Sequence, residues 1–239
     1  MIKLFRNIRQ KLITEGKVTN YMKYAIGEIA LVMIGILLAL QVNNWNNDQK
    51  EKKLEKRFLS NLIQDLEADS VTIASSKKVS DEQVRTKQKL VDYFKGQSFS
   101  KDSLVFYFNG QWQPVYNFAP ILTTLEEMKS TGNIGVISDL NLRRKILATY
   151  NSYQVHINEH EGIYNRLQEE FWKNILSKLP NLSTDFIDEK LDHFDIETAL
   201  RDFEIKNRLG LNHANGMNRG INELQNINNQ LLSELRIKL

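Results

Sequence analysis

The sequence is poor in residues that interrupt helices or cross-link a chain. Its 239 residues include no cysteine, 3 prolines and 11 glycines. The lack of cysteine excludes disulfide bonds, thiolate metal sites and a cysteine nucleophile. So few prolines and glycines leave long uninterrupted stretches, which favours helices. The formal net charge of +3 is too small to indicate nucleic acid, and we expect no nucleic-acid partner.

Two common catalytic loop motifs are missing as well. The sequence contains neither a G-x-x-x-x-G-K-[ST] phosphate loop nor a G-x-S-x-G nucleophile turn. Gly210, Gly216 and Gly220 follow no predicted strand, so they do not indicate a dinucleotide loop. We therefore predict no catalytic residue, no cofactor-binding residue and no cofactor.

One long apolar run lies near the N-terminus. Residues 25–42 read AIGEIALVMIGILLALQV, with Glu28 as the one charged side chain. Eighteen helical residues span about 27 Å, close to the roughly 30 Å hydrocarbon core of a bilayer. We predict that residues 24–45 form a transmembrane signal anchor. A cleaved signal peptide is the alternative, but it would need a shorter apolar run and a small-residue cleavage site.

Several residues of this run suit contacts with lipid or with another helix. Tyr21 and Tyr24 at one end and Trp45 at the other are predicted to anchor it at the two membrane interfaces. Gly35 and Ala39 form a small-xxx-small pair, which lets a second helix approach closely. This pair predicts packing between membrane helices, in a homo-oligomer or with a protein partner.

The first 23 residues are basic and predict the orientation. Ile2, Phe5, Ile8 and Leu12 share one helical face among lysines and arginines. The pattern predicts a basic amphipathic helix that pairs with anionic headgroups of the inner leaflet; a disordered basic tail is the alternative. We expect residues 1–23 in the cytoplasm, because the short basic flank weighs most in orientation. The protein is then placed in the inner (cytoplasmic) membrane, with residues 46–239 outside, in the periplasm where there are two membranes.

The remainder, residues 46–239, has the pattern of an all-α bundle of four or five helices. Apolar residues recur at helical spacing after the apolar run, at Leu54, Phe58, Leu62 and Leu66, and helical texture returns over residues 79–95, before Gly96. A heptad-like stripe with one polar member follows in the tail, at Met217, Ile221, Leu224, Asn228, Leu231 and Leu235. Such a stripe is typical of a coiled-coil-like helix.

The connecting segments carry their own signals. Crowded aromatic residues over 99–120, with Asn109-Gly110 as a turn signal, predict a short loop or hairpin. Pro120 is expected to open a helix that ends at Gly132 in a left-handed cap, followed by an extended NIGVIS segment. Ser138 or Asp139 should then cap a long helix, and Asp195 a later one.

One motif suggests chemistry on paper. Residues 156–160 read HINEH and match H-x-x-E-H, the signature of inverted zinc metallopeptidases. His156 and His160 are weak candidates for zinc ligands, with Glu159 as general base and Glu223 or Glu234 as a third ligand. The alternative, two solvent-facing histidines beside glutamates, is favoured because those peptidases are α/β domains and this chain is predicted to be helical.

Three stretches together carry a family resemblance. They are MIKLFRNIRQKLITEGK, YAIGEIALVMIGILLALQVNNWN and TLEEMKSTGNIGVISDLNLRRKILATYN. The combination resembles a family of bacterial single-pass membrane proteins known only as a domain of unknown function. The resemblance implies a membrane helix with a helical extracytoplasmic domain, and it carries no catalytic residues to transfer.

The sequence therefore favours one function over two others. The first is a membrane-anchored helical interaction, accessory or scaffold module without catalytic activity. The second is an extracytoplasmic ligand-sensing bundle that uses the aromatic residues 106–118 as its pocket. The third is a zinc-dependent peptidase built on residues 156–160.

Overall fold

The computed structural model describes residues 18–111, 118–175 and 196–239. Over these ranges it is helical, with 89% helix and no strand. The chain divides into two compact units, Met1–Glu55 and Lys56–Leu239. The predicted amphipathic helix before residue 18 lies outside the described residues.

The longest helix, α1, spans Val18–Phe94 and contains 77 residues. It includes the apolar run and both stretches that were predicted to be helical after it, because residues 71–78 between them carry no glycine or proline. It ends just before Gly96, whose φ of 101° only glycine adopts readily. The predicted stop at Gly96 is confirmed.

Shorter helices complete the second unit. In chain order they are α2 (Lys101–Gly110), α3 (Thr123–Ser130), a 3₁₀ helix (Asn133–Val136), α4 (Leu140–His156), a π turn (Ile157–Glu161), α5 (Gly162–Ile175), α6 (Ile196–Arg201), α7 (Phe203–Leu211) and α8 (Ala214–Lys238). Helix α4 packs against α8. The predicted stripe of α8, from Met217 to Leu235, is buried at every position, including Asn228.

One apolar cluster of the core lies at the C-terminal end of α1. Side chains of α1, α2, α6 and α7 meet there, with Leu90, Leu104, Phe108, Ile196, Leu200, Ile205 and Leu209 buried together. This cluster ties the short helices α6 and α7 to the last turns of α1. Apolar burial of this kind is what stabilises short helices that would not form alone.

The prediction of a loop or hairpin over 99–120 is wrong for residues 101–110, which form α2. Ser100 caps this helix, since its Oγ accepts the backbone N–H of Ser103 at 3.2 Å. Leu104 and Phe108, four residues apart, are both buried on one face. A capped helix with an apolar i, i+4 pair thus prevails over the turn signal at Asn109-Gly110, where the helix instead ends.

The other connector predictions have mixed outcomes. Gly132 adopts the left-handed conformation, with φ 70°, and Asp139 caps α4 by accepting the N–H groups of Asn141 and Leu142 at 2.9 and 3.1 Å. The extended NIGVIS segment is wrong, because its first four residues form the 3₁₀ helix.

Two details of the helix boundaries also differ from prediction. The helix expected to open at Pro120 begins only at Thr123, and the long helix after Asp139 is interrupted by the π turn. The cap predicted at Asp195 lies outside the described residues.

Candidate functional site

The apolar run of α1 presents its side chains on all sides. Every side chain from residue 26 to residue 48 is exposed, including Gly35, Ala39 and Trp45. A methyl group added at Gly35 would meet no other atom within 4 Å. Tyr24 is exposed as well, whereas the side chain of Tyr21 lies outside the described residues. The run is therefore free to contact a lipid phase or another helix.

In the second unit, by contrast, several of the residues on the buried face of α1 are polar. These are Asp69, Ser76, Ser80, Gln83 and Thr86. They occupy the positions at which an amphipathic helix normally carries apolar residues. The functional candidates of the unit are the two polar clusters that Asp69, Gln83 and Thr86 build with the other helices.

The first cluster centres on two aspartates of α1. Asp69 Oδ1 accepts the backbone N–H of Ile121 at 3.0 Å, and Asp65 Oδ2 accepts that of Thr124 at 3.2 Å. Helix α3 has no capping side chain of its own, since Leu122 stands at its N-cap position. The two carboxylates therefore supply from α1 the acceptors that the start of α3 lacks.

Asp69 is held in an environment that disfavours its charge. The residue is 1% exposed, and its Oδ2 atom has no hydrogen-bond partner among the described residues. Burial raises the pKa of Asp69 to about 6, opposed by the hydrogen bond from Ile121 and assisted by the nearby Asp65 charge. Burial also raises the pKa of Tyr150 and Tyr153, and the Asp69 charge adds to both shifts.

Asn228 joins this cluster to α8. Its Oδ1 accepts the Tyr153 hydroxyl at 2.9 Å, while its Nδ2 donates to Ser70 Oγ at 2.7 Å and to the Leu66 carbonyl at 3.1 Å. One buried amide thereby links α1, α4 and α8. A buried asparagine in a heptad-like stripe is a known device for setting helix register.

The second cluster lies further along α1. Gln83 donates to the Tyr164 hydroxyl at 2.6 Å, and Gln111 Nε2 donates to Thr86 Oγ1 at 2.5 Å. Asn212 Nδ2 in turn donates to Gln111 Oε1 at 2.8 Å. This network links α1, the end of α2, α5 and the joint between α7 and α8.

Gly110 is required for this second cluster. A Cβ atom at position 110 would lie 2.8 Å from Thr86 Oγ1. Such an approach is closer than real Cβ contacts allow, so α2 can end against Thr86 only with glycine there. The pattern NG, interpreted from sequence as a turn, thus reflects a close helix contact.

The zinc motif is only partly described. His156 is buried, at 5% exposure, and its ring is therefore not a solvent-facing one. The side chain of His160 lies outside the described residues. Glu223 is exposed, and Glu234 forms an ion pair with Lys145. Among the described residues no group of three or more histidine, aspartate or glutamate side chains could hold a metal ion.

The aromatic residues predicted to line a pocket do not converge. Phe108 is buried in the cluster at the end of α1, whereas Phe118 packs edge-on against Tyr153, with ring centroids 5.1 Å apart. Phe106 is exposed. Trp112 and Tyr116 lie outside the described residues. Phe118 thus lies in a different environment from Phe108.

Sequence reasoning missed both polar clusters. The signal was present, because Asp69, Gln83 and Thr86 fall at steps of three or four residues from the buried Leu66 and Leu90. A search for apolar periodicity passes over polar residues in such a stripe. Their burial becomes visible only once the partner helices are placed.

Over residues 18–111, 118–175 and 196–239 these features define an all-helical protein, with one helix that is long and apolar enough to cross a membrane. The family model "Family of unknown function (DUF6090)" matches residues 28–190, and the chain belongs to that family. The predicted resemblance to a family of unknown function is thereby confirmed. No curated protein and no solved structure matches the chain.

Proposed function

We propose that this chain is a non-catalytic, membrane-anchored helical module that acts through protein contacts, as a homo-oligomer or as an accessory subunit. The observation that carries the proposal is the exposure of the apolar run. Its most apolar 18-residue window is 0% buried by the rest of the chain. Apolar surface costs roughly 25 cal/mol per Å² in water, so the exposure of this run supports an anchor in a membrane.

The anchor is proposed to hold residues 1–23 in the cytoplasm and the second unit outside. The cysteine-free chain permits a direct test, since any introduced cysteine is the one thiol present. Asn229→Cys, at an exposed position of α8, should react in intact cells with a membrane-impermeant maleimide. Lys3→Cys should react only after permeabilisation. The reverse pattern would overturn the proposed orientation.

Self-association is proposed to use the face with Gly35 and Ala39. The matched pair is Ala39→Cys and Leu37→Cys, because two residues along a helix turn about 200° to the opposite face. Oxidation in membranes should cross-link the Ala39→Cys chain into dimers and leave the Leu37→Cys chain monomeric. Equal cross-linking of the two, or none, would contradict packing on this face.

The decisive experiment for the proposal is in-cell cross-linking of the tagged full-length protein, followed by mass spectrometry. Links between copies of the chain support the homo-oligomer. Stoichiometric links to one other protein support the accessory subunit, whose role would then follow from that partner. A strictly monomeric chain without either kind of link would refute the interaction module.

The proposal that the chain has no catalytic activity has its own test. The purified full-length protein should carry no stoichiometric zinc, and His156→Ala should leave its cellular role unchanged provided that the variant folds. A zinc-dependent hydrolysis that His156→Ala abolishes, with the fold intact by circular dichroism, would replace this proposal with the peptidase.

A further inference from the structure

A groove of about 500 Å³ lies in the second unit between the last turns of α1 and helix α7. The groove is lined by Lys87, Leu90 and Phe94 of α1 and by Lys206, Leu209, Gly210 and Leu211 of α7. Its volume falls in the range of roughly 300–1,000 Å³ typical of small-molecule sites. The lining combines an apolar wall with two lysines, and neither belongs to the aromatic region predicted from sequence.

Lys87 brings a positive charge to this groove. Its Nζ donates to Asn212 Oδ1 at 2.6 Å, to the Asn212 carbonyl at 3.1 Å and to the Gly210 carbonyl at 3.4 Å. All three acceptors are neutral, and no carboxylate of the described ranges forms an ion pair with it. Burial lowers the pKa of Lys87, because an ammonium that is partly removed from water loses hydration.

Lys206 places a second cation at the same groove. Its Nζ lies 4.9 Å from the centroid of the Phe94 ring. Within the described part of the chain, Lys206 has no ion pair with a carboxylate either. The cations of α1 and α7 therefore lie beside the same apolar wall, which is formed by the buried Leu90 and Leu209 and by the 66% exposed Leu211.

We propose that this groove binds a long-chain carboxylate, a ligand of the fatty-acid class. The alkyl chain would lie along the leucines, where burial of each CH₂ contributes about 0.8 kcal/mol in general. The carboxylate would supply a negative charge beside Lys87 and Lys206, which have no ion pair with a carboxylate of the described residues. A lysine ammonium binds a carboxylate or a phosphate as a point charge. A singly charged carboxylate costs less to desolvate beside an apolar wall than a phosphate of higher charge, so a carboxylate head is favoured. The inference does not depend on the proposed interaction role.

The binding test uses the full chain in phosphatidylcholine nanodiscs, titrated with dodecanoate at mildly alkaline pH, with empty nanodiscs subtracted. Dodecanoate should bind at one molecule per chain. Dodecanol and dodecyltrimethylammonium share the alkyl chain without the negative charge, and they should bind at least about tenfold more weakly, the loss expected for one charge contact. Dodecyl phosphate tests the other anionic head.

Two pairs of variants locate the binding. At Gly210 an added Cβ meets no atom within 4 Å, so a larger side chain can be introduced there without a clash. Gly210→Phe should fill the groove and abolish binding, whereas the matched Gly210→Ala should retain it. Leu211→Glu should weaken binding about tenfold by repelling the carboxylate, and Phe203→Glu, at an exposed position outside the lining, should not.

The outcomes decide the proposal. Selective dodecanoate binding that Gly210→Phe and Leu211→Glu reduce supports it. Equal binding of dodecanol, or dodecanoate binding that neither variant reduces, overturns it. Tighter binding of dodecyl phosphate than of dodecanoate would overturn the carboxylate assignment and point to a phospholipid-type head. Far-ultraviolet circular dichroism of each variant confirms that the helical fold is kept.

Discussion

Two stretches of helix α1, residues 26–48 and residues 58–90, differ in how the polarity of their side chains relates to burial. From residue 26 to residue 48 most of the side chains are apolar, and all of them are exposed. From Phe58 to Leu90 a stripe of one residue every three or four positions is buried, and five members of the stripe are polar. Apolarity without burial and burial without apolarity thus occur in the same helix.

This difference teaches what burial depends on in each stretch. In the first stretch no other described part of the chain covers the side chains, and their apolarity is compatible with a membrane anchor. In the second stretch the partner helices determine which face is covered, and polar residues on that face must find hydrogen bonds. The following predictions change one stretch or the other and ask whether the contrast survives.

The largest effect is expected from charges placed in the middle of the first stretch. Ile34→Asp combined with Leu38→Asp should cost about 5 to 7 kcal/mol of membrane insertion, at about 2.5 to 3.5 kcal/mol for each aspartate. The variant should no longer sediment with membranes after alkaline carbonate extraction.

The control places two aspartates at exposed apolar positions of the second unit, Val71 and Ile237. That double variant should sediment with membranes as the unchanged chain does. If the Ile34 and Leu38 variant also remained in the pellet, the first stretch would not be the anchor.

The second effect tests apolar burial in the second stretch. Leu66 is fully buried, and Leu66→Ala should lower the free energy of unfolding by about 2 to 5 kcal/mol through lost burial and a cavity. Val71 is largely exposed in the same helix, so Val71→Ala should change it by less than about 0.5 kcal/mol. Pulse proteolysis in urea, on the full chain in nanodiscs, measures both. Equal losses would mean that the stripe is not the packed face.

Sequence reasoning captured the parts of the fold that depend on local pattern. The apolar run, the end of α1 at Gly96, the Asp139 cap and the stripe from Met217 to Leu235 all depend on neighbours within a turn or two. The all-helical class follows from the same periodicity. Each of these features is determined mainly by the residues of one short segment and depends little on distant residues.

What sequence reasoning missed depends on residues far apart in the chain. The sequence predicts a loop or short hairpin in place of helix α2, because the glycine of its turn signal, Gly110, is in fact needed for a contact with Thr86, 24 residues earlier. Asp65 and Asp69 hold the start of α3 from more than 50 residues away. No periodicity within a segment records such pairings, and the site candidates consist almost entirely of them.

The third prediction removes the polar link between the stripes of α1 and α8. Asn228→Ala deprives Tyr153 of its acceptor and leaves Ser70 without its donor, and should cost about 1 to 3 kcal/mol of stability. Asn229→Ala, next to it and exposed, is the matched control and should be neutral. If Asn228→Ala and Tyr153→Phe lowered stability additively in a double-mutant cycle, the two side chains would not be coupled.

The last prediction concerns the buried acid of the second stretch and its dependence on pH. The pKa of Asp69 is about 6 in the folded chain, against 3.8 for an unperturbed aspartate. Between these values the folded chain binds more protons than the unfolded chain, so the contribution of Asp69 to stability falls as pH rises from about 4 to 6. At neutral pH the buried charge is therefore destabilising.

Asp69→Asn should then raise the free energy of unfolding at pH 7 by on the order of 1 to 3 kcal/mol, since an amide oxygen can still accept the Ile121 N–H and no charge is buried. It should also flatten the slope of stability between pH 4 and 6. Asp139 is the matched control, because its pKa is shifted in the opposite direction: pairing with Lys238 and the capping hydrogen bonds lower it. Asp139→Asn should therefore lower the free energy of unfolding at neutral pH. Urea titrations of both variants across this range measure the effect. If Asp69→Asn were destabilising at pH 7 with an unchanged slope, the carboxylate would be needed in its charged form, and the second stretch would retain a polar residue for its charge rather than for its hydrogen bond.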